Sequence, residues 1–242
     1  MFDLKGKTAL VTGSTQGIGF EIARILASHG ATVYVHGARD MQKCTAASSK
    51  IPNSKPVTAD LLIPEEIDAL YEKTGDVDIL VLNASIQYKR AWDAFTMEEY
   101  DIQMNCNVKA SYMMIRKYAC GMQRKGFGRI VTLGSVNQYR QHPELSLYGV
   151  TKAAQFKMVK SFALSLAPFG ITVNNIAPGA IETPRNNDVC SDPAKKAAVE
   201  AQIPCGRFGT PSDISPAVLL LCSDEGAYIT GSEIVIDGGL SL

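Results

Sequence analysis

The 242-residue chain has no excess charge of either sign, since 24 Lys plus Arg balance 24 Asp plus Glu. Nucleic-acid and anionic-membrane partners depend on concentrated positive charge, so neither is expected. No apolar run approaches the roughly 18 to 20 residues that a membrane-spanning helix requires. The start, Met1-Phe2-Asp3-Leu4-Lys5-Gly6-Lys7, lacks the apolar stretch of a signal peptide, which makes the cytoplasm the expected compartment. The six cysteines are scattered with no CxxC pair, and His29, His36 and His142 lie far apart. Such a set predicts no metal site, and the thiols are read as reduced. Linkers, repeats and low-complexity stretches are also missing, so residues 1–242 are read as one domain.

What is there is globular in composition, 46% hydrophobic and 20% charged. Short β-branched runs recur at 8–11, 32–35, 78–82, 129–133, 171–176 and 233–237, with a weaker one at 56–59. Continuous apolar runs of this length suit strands covered on both faces. Helix-length segments such as 18–29 and 64–73 separate them. The alternation predicts an α/β fold: a single-domain, doubly wound parallel sheet of the Rossmann type, about seven strands, with helices on both faces. The least regular segment, 181–204, is polar, bounded by prolines and follows a strand, and is read as a substrate lid.

The first strand runs into Thr12-Gly13-Ser14-Thr15-Gln16-Gly17-Ile18-Gly19 and then a helix. Glycines let backbone turn sharply and approach a pyrophosphate, and a helix start offers free N–H groups. Its position in the first βα unit makes this turn a dinucleotide site, although its spacing is G-x-x-x-G-x-G. The second strand ends in His36-Gly37-Ala38-Arg39-Asp40, with no acid at the strand's own end. The Arg39 guanidinium suits a 2′-phosphate, so NADP(H) is expected over NAD(H). NAD(H) stays open if Asp40 takes the ribose hydroxyls instead.

Tyr148 and Lys152 lie four residues apart, hence on one helix face. A phenol with a pKa near 10 is a poor acid-base group at neutral pH, and a neighbouring cation favours the phenolate. Ser135 follows the strand at 129–133, at the carboxyl end of the sheet, where its hydroxyl can donate to a substrate oxygen. Asn107 sits inside a helical run over about 97–124, an unfavourable place for Asn unless the side chain has a role.

These motifs, with Asn83-Ala84 and Asn174-Asn175-Ile176-Ala177-Pro178-Gly179 followed by Thr183, resemble the short-chain dehydrogenases/reductases over nearly the whole chain. The resemblance implies hydride transfer with an Asn107-Ser135-Tyr148-Lys152 tetrad. Tyr148 would be the acid-base and Ser135 would polarise the substrate oxygen. Lys152 would bind the nicotinamide ribose, and Asn107 would hold a water of the proton relay. It further implies that Asp60 and Leu61 meet the adenine edge, and that Pro178, Gly179, Ile181 and Thr183 lie at the nicotinamide end. Two departures stand out. Ser85 replaces the usual glycine after Asn83-Ala84, and Gln16 stands where many NADP-preferring members carry a base, leaving Arg39 as the main phosphate ligand.

Segments 86–90 and 137–142 should border the substrate cleft, with Gln87, Arg90, Asn137 and His142 as candidate contacts. Amides and cations suit hydroxyls and a carboxylate. The first segment is similar to the loop of gluconate 5-dehydrogenases, which points to a sugar acid, sugar or polyol. The alternative is a 3-oxoacyl-[acyl-carrier-protein] reductase, with Arg124, Lys125 and Arg129 as a patch for acyl carrier protein. Phe169 stands where such reductases often carry Arg. A non-catalytic dinucleotide sensor is a third reading, but it would not need the tetrad. The segment 151–167 is apolar on nearly all sides, which predicts a homodimer built on this helix, and the family resemblance implies a homotetramer.

Overall fold

The computed structural model describes residues 2–242. In chain order it runs β1 (Thr8–Val11), α1 (Gly17–Ser28), β2 (Thr32–Gly37), α2 (Met41–Ser48), β3 (Ser54–Thr58), α3 (Pro64–Thr74) and β4 (Ile79–Leu82). There follow α4 (Met97–Met104), a π-helical turn (Asn105–Lys109), α5 (Ala110–Lys125), β5 (Gly128–Leu133), α6 (Ser146–Leu166) and β6 (Ile171–Pro178). The chain ends with α7 (Asn187–Cys190), α8 (Pro193–Glu200), α9 (Pro211–Cys222) and β7 (Glu233–Ile236).

All seven strands pair in parallel in the order β3-β2-β1-β4-β5-β6-β7. Alternate strand residues feed two core layers, as a two-residue side-chain period dictates. Val11, Val33, Val81 and Val131 face α1 and α9, where Ile22, Leu26, Ile214 and Val218 are buried. Leu10, Leu80, Ile130 and Val173 face α3, α5 and α6, where Leu70, Met114, Ile115 and Val159 are buried. Both faces are therefore covered, which is why the strands read as continuous apolar runs. The strand order reverses between β1 and β4, and the register Val11↔Val35 and Val11↔Val81 brings their carboxyl ends level. That reversal opens a crevice at the carboxyl edge.

One expectation needs adjustment. Segment 181–204 is not irregular: α7 and α8 occupy much of it, and Ile181 is buried and bridged to Gly209. Within one chain, helix α6 buries one side and leaves apolar residues outside. Tyr148, Lys152, Gln155 and Val159 are enclosed, whereas Leu164 is 82% exposed and Val150 is also exposed, beside exposed Tyr112 of α5. Among the described residues no helix is long and apolar enough to cross a membrane.

Candidate active site

The glycine turn after β1 is braced from beneath. The Thr12 hydroxyl accepts from the backbone N–H groups of Asn83 and Ala84, both at 3.0 Å. The Asn83 amide donates to the carbonyls of Thr12 and Gly13, both at 2.9 Å. A Cβ at Gly19 would sit 2.4 Å from Asn83 Nδ2 and 2.5 Å from the Gly13 carbonyl oxygen, so that position has no room for a side chain. Gly13 adopts φ +62°, a left-handed conformation that glycine takes without strain. His36 is wholly buried behind the turn. Its Nε2 lies 3.1 Å from the Ala59 carbonyl and must carry the proton, so bare Nδ1 accepts from the Gly13 N–H at 3.2 Å. Burial pushes this imidazole down to about 4, and it is neutral at physiological pH.

With Ser14 turned inward to the Val11 carbonyl, the lip of the turn presents backbone. No side chain caps the N-terminus of α1, so its first N–H groups are open to an anion. A pyrophosphate fits that donor set. Gly13, Gln16, Gly17, Ile18 and Gly19 line one end of a cleft of about 380 Å³. Ser14, Leu61 and Ala84 do not line it. Leu61 is a core residue and Ala84 packs under Gly13, so these three support the site through backbone and packing.

A second hollow beside the turn is lined by Thr15, Arg39, Asp40, Lys43 and Asp60. Arg39 Nη2 contacts Asp60 Oδ2 at 2.5 Å, while the Arg39 side chain remains 77% exposed. The guanidinium is thus oriented by Asp60 and still has outward N–H groups. Lys43 donates to Gln16 Oε1 at 2.7 Å and brings a second cation to this hollow. Sequence reasoning missed it. The only cue was its place one turn into the helix that follows Arg39.

Across the cleft, Ser135, Tyr148 and Lys152 converge from the end of β5 and the start of α6. Gly149 makes this possible, since a Cβ there would lie 2.5 Å from the Asn137 carbonyl oxygen and push α6 off the Ser135 loop. Ser135 Oγ accepts from the backbone and side-chain N–H groups of Asn137, at 3.2 and 3.3 Å, leaving its own proton free to donate. Lys152 is fully buried. Its Nζ lies 5.5 Å from the Tyr148 ring centroid and donates to the Leu133 carbonyl at 2.7 Å and Gln155 Oε1 at 2.8 Å. Burial pushes this ammonium down to about 7, with the positive charge of Arg185 acting in the same direction. Asn107 is buried in the π-helical turn and does not line the cleft. Its Oδ1 accepts from the Ile86 N–H at 2.8 Å and its Nδ2 donates to the Ile86 carbonyl at 2.9 Å. The wider turn aims this side chain at the loop after β4.

Pro178, Gly179, Ile181 and Thr183 line the cleft after β6, and Asn83 and Ser85 line it after β4. Gln87, Asn137 and His142 also line the cleft. Arg90 is a correction. It turns away from the cleft and pairs with Glu99 of α4 at 2.7 Å, because that acid faces the loop. The cations that do line the cleft are Lys89, Arg140, Lys152 and Arg185, and no Asp or Glu lines it. Lys89 is held by Asp188 at 2.9 Å and Arg140 by Gln202 at 2.6 Å. Arg185 donates to the Ser85 carbonyl at 2.8 Å and Ser85 Oγ at 3.1 Å. Ser85 thus ties the segment beyond β6 across the cleft. Arg140 and Arg185 sat inside polar segments of the sequence, with nothing to indicate their direction. Among the described residues no cluster of His, Cys, Asp and Glu is placed to hold a metal ion.

Comparison with known proteins places this geometry among relatives. Residues 13–241 match a family model described as enoyl-(acyl carrier protein) reductase. The chain is 35% identical over 249 residues to 3beta-hydroxysteroid dehydrogenase 1 of Eggerthella lenta, covering 99% of this chain and 95% of that protein. Among solved structures, a putative gluconate dehydrogenase from Agrobacterium tumefaciens superposes with a TM-score of 0.94 at 30% identity, over 99% of this chain and 98% of the other. A 3-oxoacyl (acyl-carrier-protein) reductase from the same organism, with NADP bound, superposes with a TM-score of 0.93 at 34% identity, over 98% and 95% of the two chains.

Proposed function

This chain belongs to the short-chain dehydrogenase/reductase family of oxidoreductases, and from that premise we propose that it uses NADP(H) to interconvert a secondary alcohol and a ketone on a small anionic substrate. The class we favour is a sugar acid or related hydroxy acid, with sugars and polyols as neutral relatives. The observation that carries this reading is the lining of the cleft, which holds four cations and no carboxylate in a chain of zero net charge. An anionic substrate gains charge-assisted hydrogen bonds there, and an apolar one desolvates these cations with no new partner in return.

In this reading the bound nicotinamide supplies or accepts hydride. The glycine turn and the open start of α1 hold the pyrophosphate, Asp60 lies toward the adenine edge, and Arg39 with Lys43 binds the 2′-phosphate. Ser135 donates its free hydroxyl proton to the substrate oxygen, and Tyr148 exchanges a proton with that oxygen. Lys152 stands beside the phenol, its Nζ 5.5 Å from the Tyr148 ring centroid. Asn107 fixes the loop at Ile86, which carries Gln87 and Lys89 to the substrate. Segment 181–204 serves as the lid, with Arg185 as its latch on Ser85.

The carrier-protein reading is weakened by the state of its basic patch. Arg124 pairs with Asp76 at 3.0 Å and Lys125 with Asp78 at 2.9 Å. Arg129 is buried among backbone carbonyls. The test is NADPH oxidation with 5-ketogluconate and related keto acids against acetoacetyl thioesters. Faster turnover of the thioesters would overturn the substrate assignment, and a lower Michaelis constant for NADH than for NADPH would overturn the roles of Arg39 and Lys43. The exposed apolar strip of Val150, Leu164 and Tyr112 supports a homodimer or homotetramer. Light scattering at micromolar concentration tests it, and a monomer would contradict it. A cytoplasmic enzyme remains the expectation.

A further inference from the structure

Helix α6 presents two buried polar side chains outside the tetrad and the cofactor site, Thr151 and Gln155. Gln155 is fully buried, three residues beyond Lys152 on the same face. Its Oε1 accepts from Lys152 Nζ at 2.8 Å, and its Nε2 donates to Ser111 Oγ at 2.8 Å. Ser111 donates in turn to the Asn107 carbonyl at 2.8 Å. Asn107 Nδ2 donates to Thr151 Oγ1 at 3.0 Å, and that hydroxyl donates to the Tyr148 carbonyl at 2.8 Å. The polar groups form a circuit that starts and ends on α6 and passes through the π-helical turn and α5.

An ammonium has three N–H donors. Two are fixed, one by the Leu133 carbonyl and one by Gln155, which leaves a single N–H for the side facing Tyr148 and the cleft. The charged and titratable groups facing Lys152 are Tyr148 on its own helix, Cys106 on the π-helical turn and Arg185 beyond β6. None is a carboxylate, so among the described residues the hydrogen-bond acceptors that meet the buried charge are the amide oxygen and one carbonyl, with the Tyr148 ring 5.5 Å away. We propose that Gln155 is a positioning residue for Lys152: clamped by Ser111, it aims the last N–H of the ammonium at the reacting side and holds the nitrogen in its protonated form. This rests on the role given to Lys152 above, and its first test needs neither substrate nor cofactor.

Compare thermal unfolding of the wild type and Q155M at pH 6 and pH 9. Methionine keeps the length and removes the acceptor. Loss of an acceptor destabilises the charged nitrogen more than the neutral one, so the gap in Tm is larger at pH 6 and narrows at pH 9 as Lys152 loses its proton. A purely structural role would give the same gap at both values, and that result overturns the proposal. The second measurement is the alkaline limb of the kcat profile. Q155M should move it toward acid by about one pH unit, the size of one charge-assisted hydrogen bond. Q155E, which sets a carboxylate against the ammonium, should move it the other way. A shift of both variants in one direction overturns the proposal. If the wild type oxidises no NADPH with any keto acid, the functional reading fails, and the unfolding comparison still judges Gln155.

Discussion

The two ends of the cleft are built on opposite principles. At the nucleotide end, identity is dictated by lack of space: Gly19 abuts Asn83 and Gly13, and Gly13 needs a left-handed φ. Ser14, His36, Thr12 and Asn83 stabilise backbone and leave N–H groups to face the ligand. At the substrate end, long side chains make the surface, each held by one or two partners: Lys89 by Asp188, Arg140 by Gln202, Arg185 by Ser85. A backbone-built site tolerates little substitution and is tied to folding stability. A site of long side chains can change specificity with little effect on the fold.

That contrast can be broken by experiment. The largest expected effect is at the junction of the two ends. Tyr148→Phe should lower kcat about 10²- to 10⁴-fold, the usual range for a lost general acid-base, with Tm nearly unchanged. Steady-state rates with unfolding curves check it, and unchanged turnover would sink the assigned role. Next comes acid sensitivity at the nucleotide end. His36 holds a pKa of about 4 against an ordinary 6.5, so the unfolded chain takes up its proton first as pH falls. The stabilisation is whole above pH 6.5 and is lost between 6.5 and 4, on the order of 3 kcal/mol. Tm measured from pH 7.5 to 4.5 should fall in the wild type more than in H36Q. A gap that does not narrow toward acid would show that His36 is protonated in the fold.

Gly19→Ala should cost about 1–3 kcal/mol through overpacking against Asn83 and Gly13. It should weaken NADPH binding in fluorescence titrations together with Tm. An unchanged Tm would mean that the turn is more pliant than its contacts imply. The smallest effect is expected at the other end. Arg185→Ala should raise the Michaelis constant for an acid substrate about tenfold, as for one lost hydrogen bond to a charge, and leave Tm within 1 °C or so. A drop in Tm as large as that of Gly19→Ala would erase the distinction between the two ends.

The same contrast explains what could be read before the structure. Strands covered on both faces announce themselves as runs such as 79–82 and 171–176. A turn that excludes side chains announces itself as Gly13, Gly17 and Gly19. The positions of Ser135, Tyr148 and Lys152 followed from strand ends and helix spacing. What stayed hidden depends on neighbours distant in sequence. Arg90 and Arg140 read alike, yet Glu99 takes one away from the cleft and Gln202 holds the other over it. The π-helical turn at Asn105–Lys109 leaves no composition signal, because it exists to let Asn107 reach Ile86. Gln155 could have been found, as a lone amide on the buried face of an apolar helix.

The lining of the cleft also bears on the approach of a ligand. Four basic side chains line the cleft and no carboxylate does, although Asp188 pairs with Lys89 at 2.9 Å, and this gives a molecule of zero net charge a directed field. Diffusing anions are drawn to the mouth before any contact forms, and added salt shortens the range of that pull to about 8 Å at physiological ionic strength. The encounter rate with an acidic substrate should therefore fall as salt rises, while that with a neutral sugar stays level, although the protein as a whole carries no net charge.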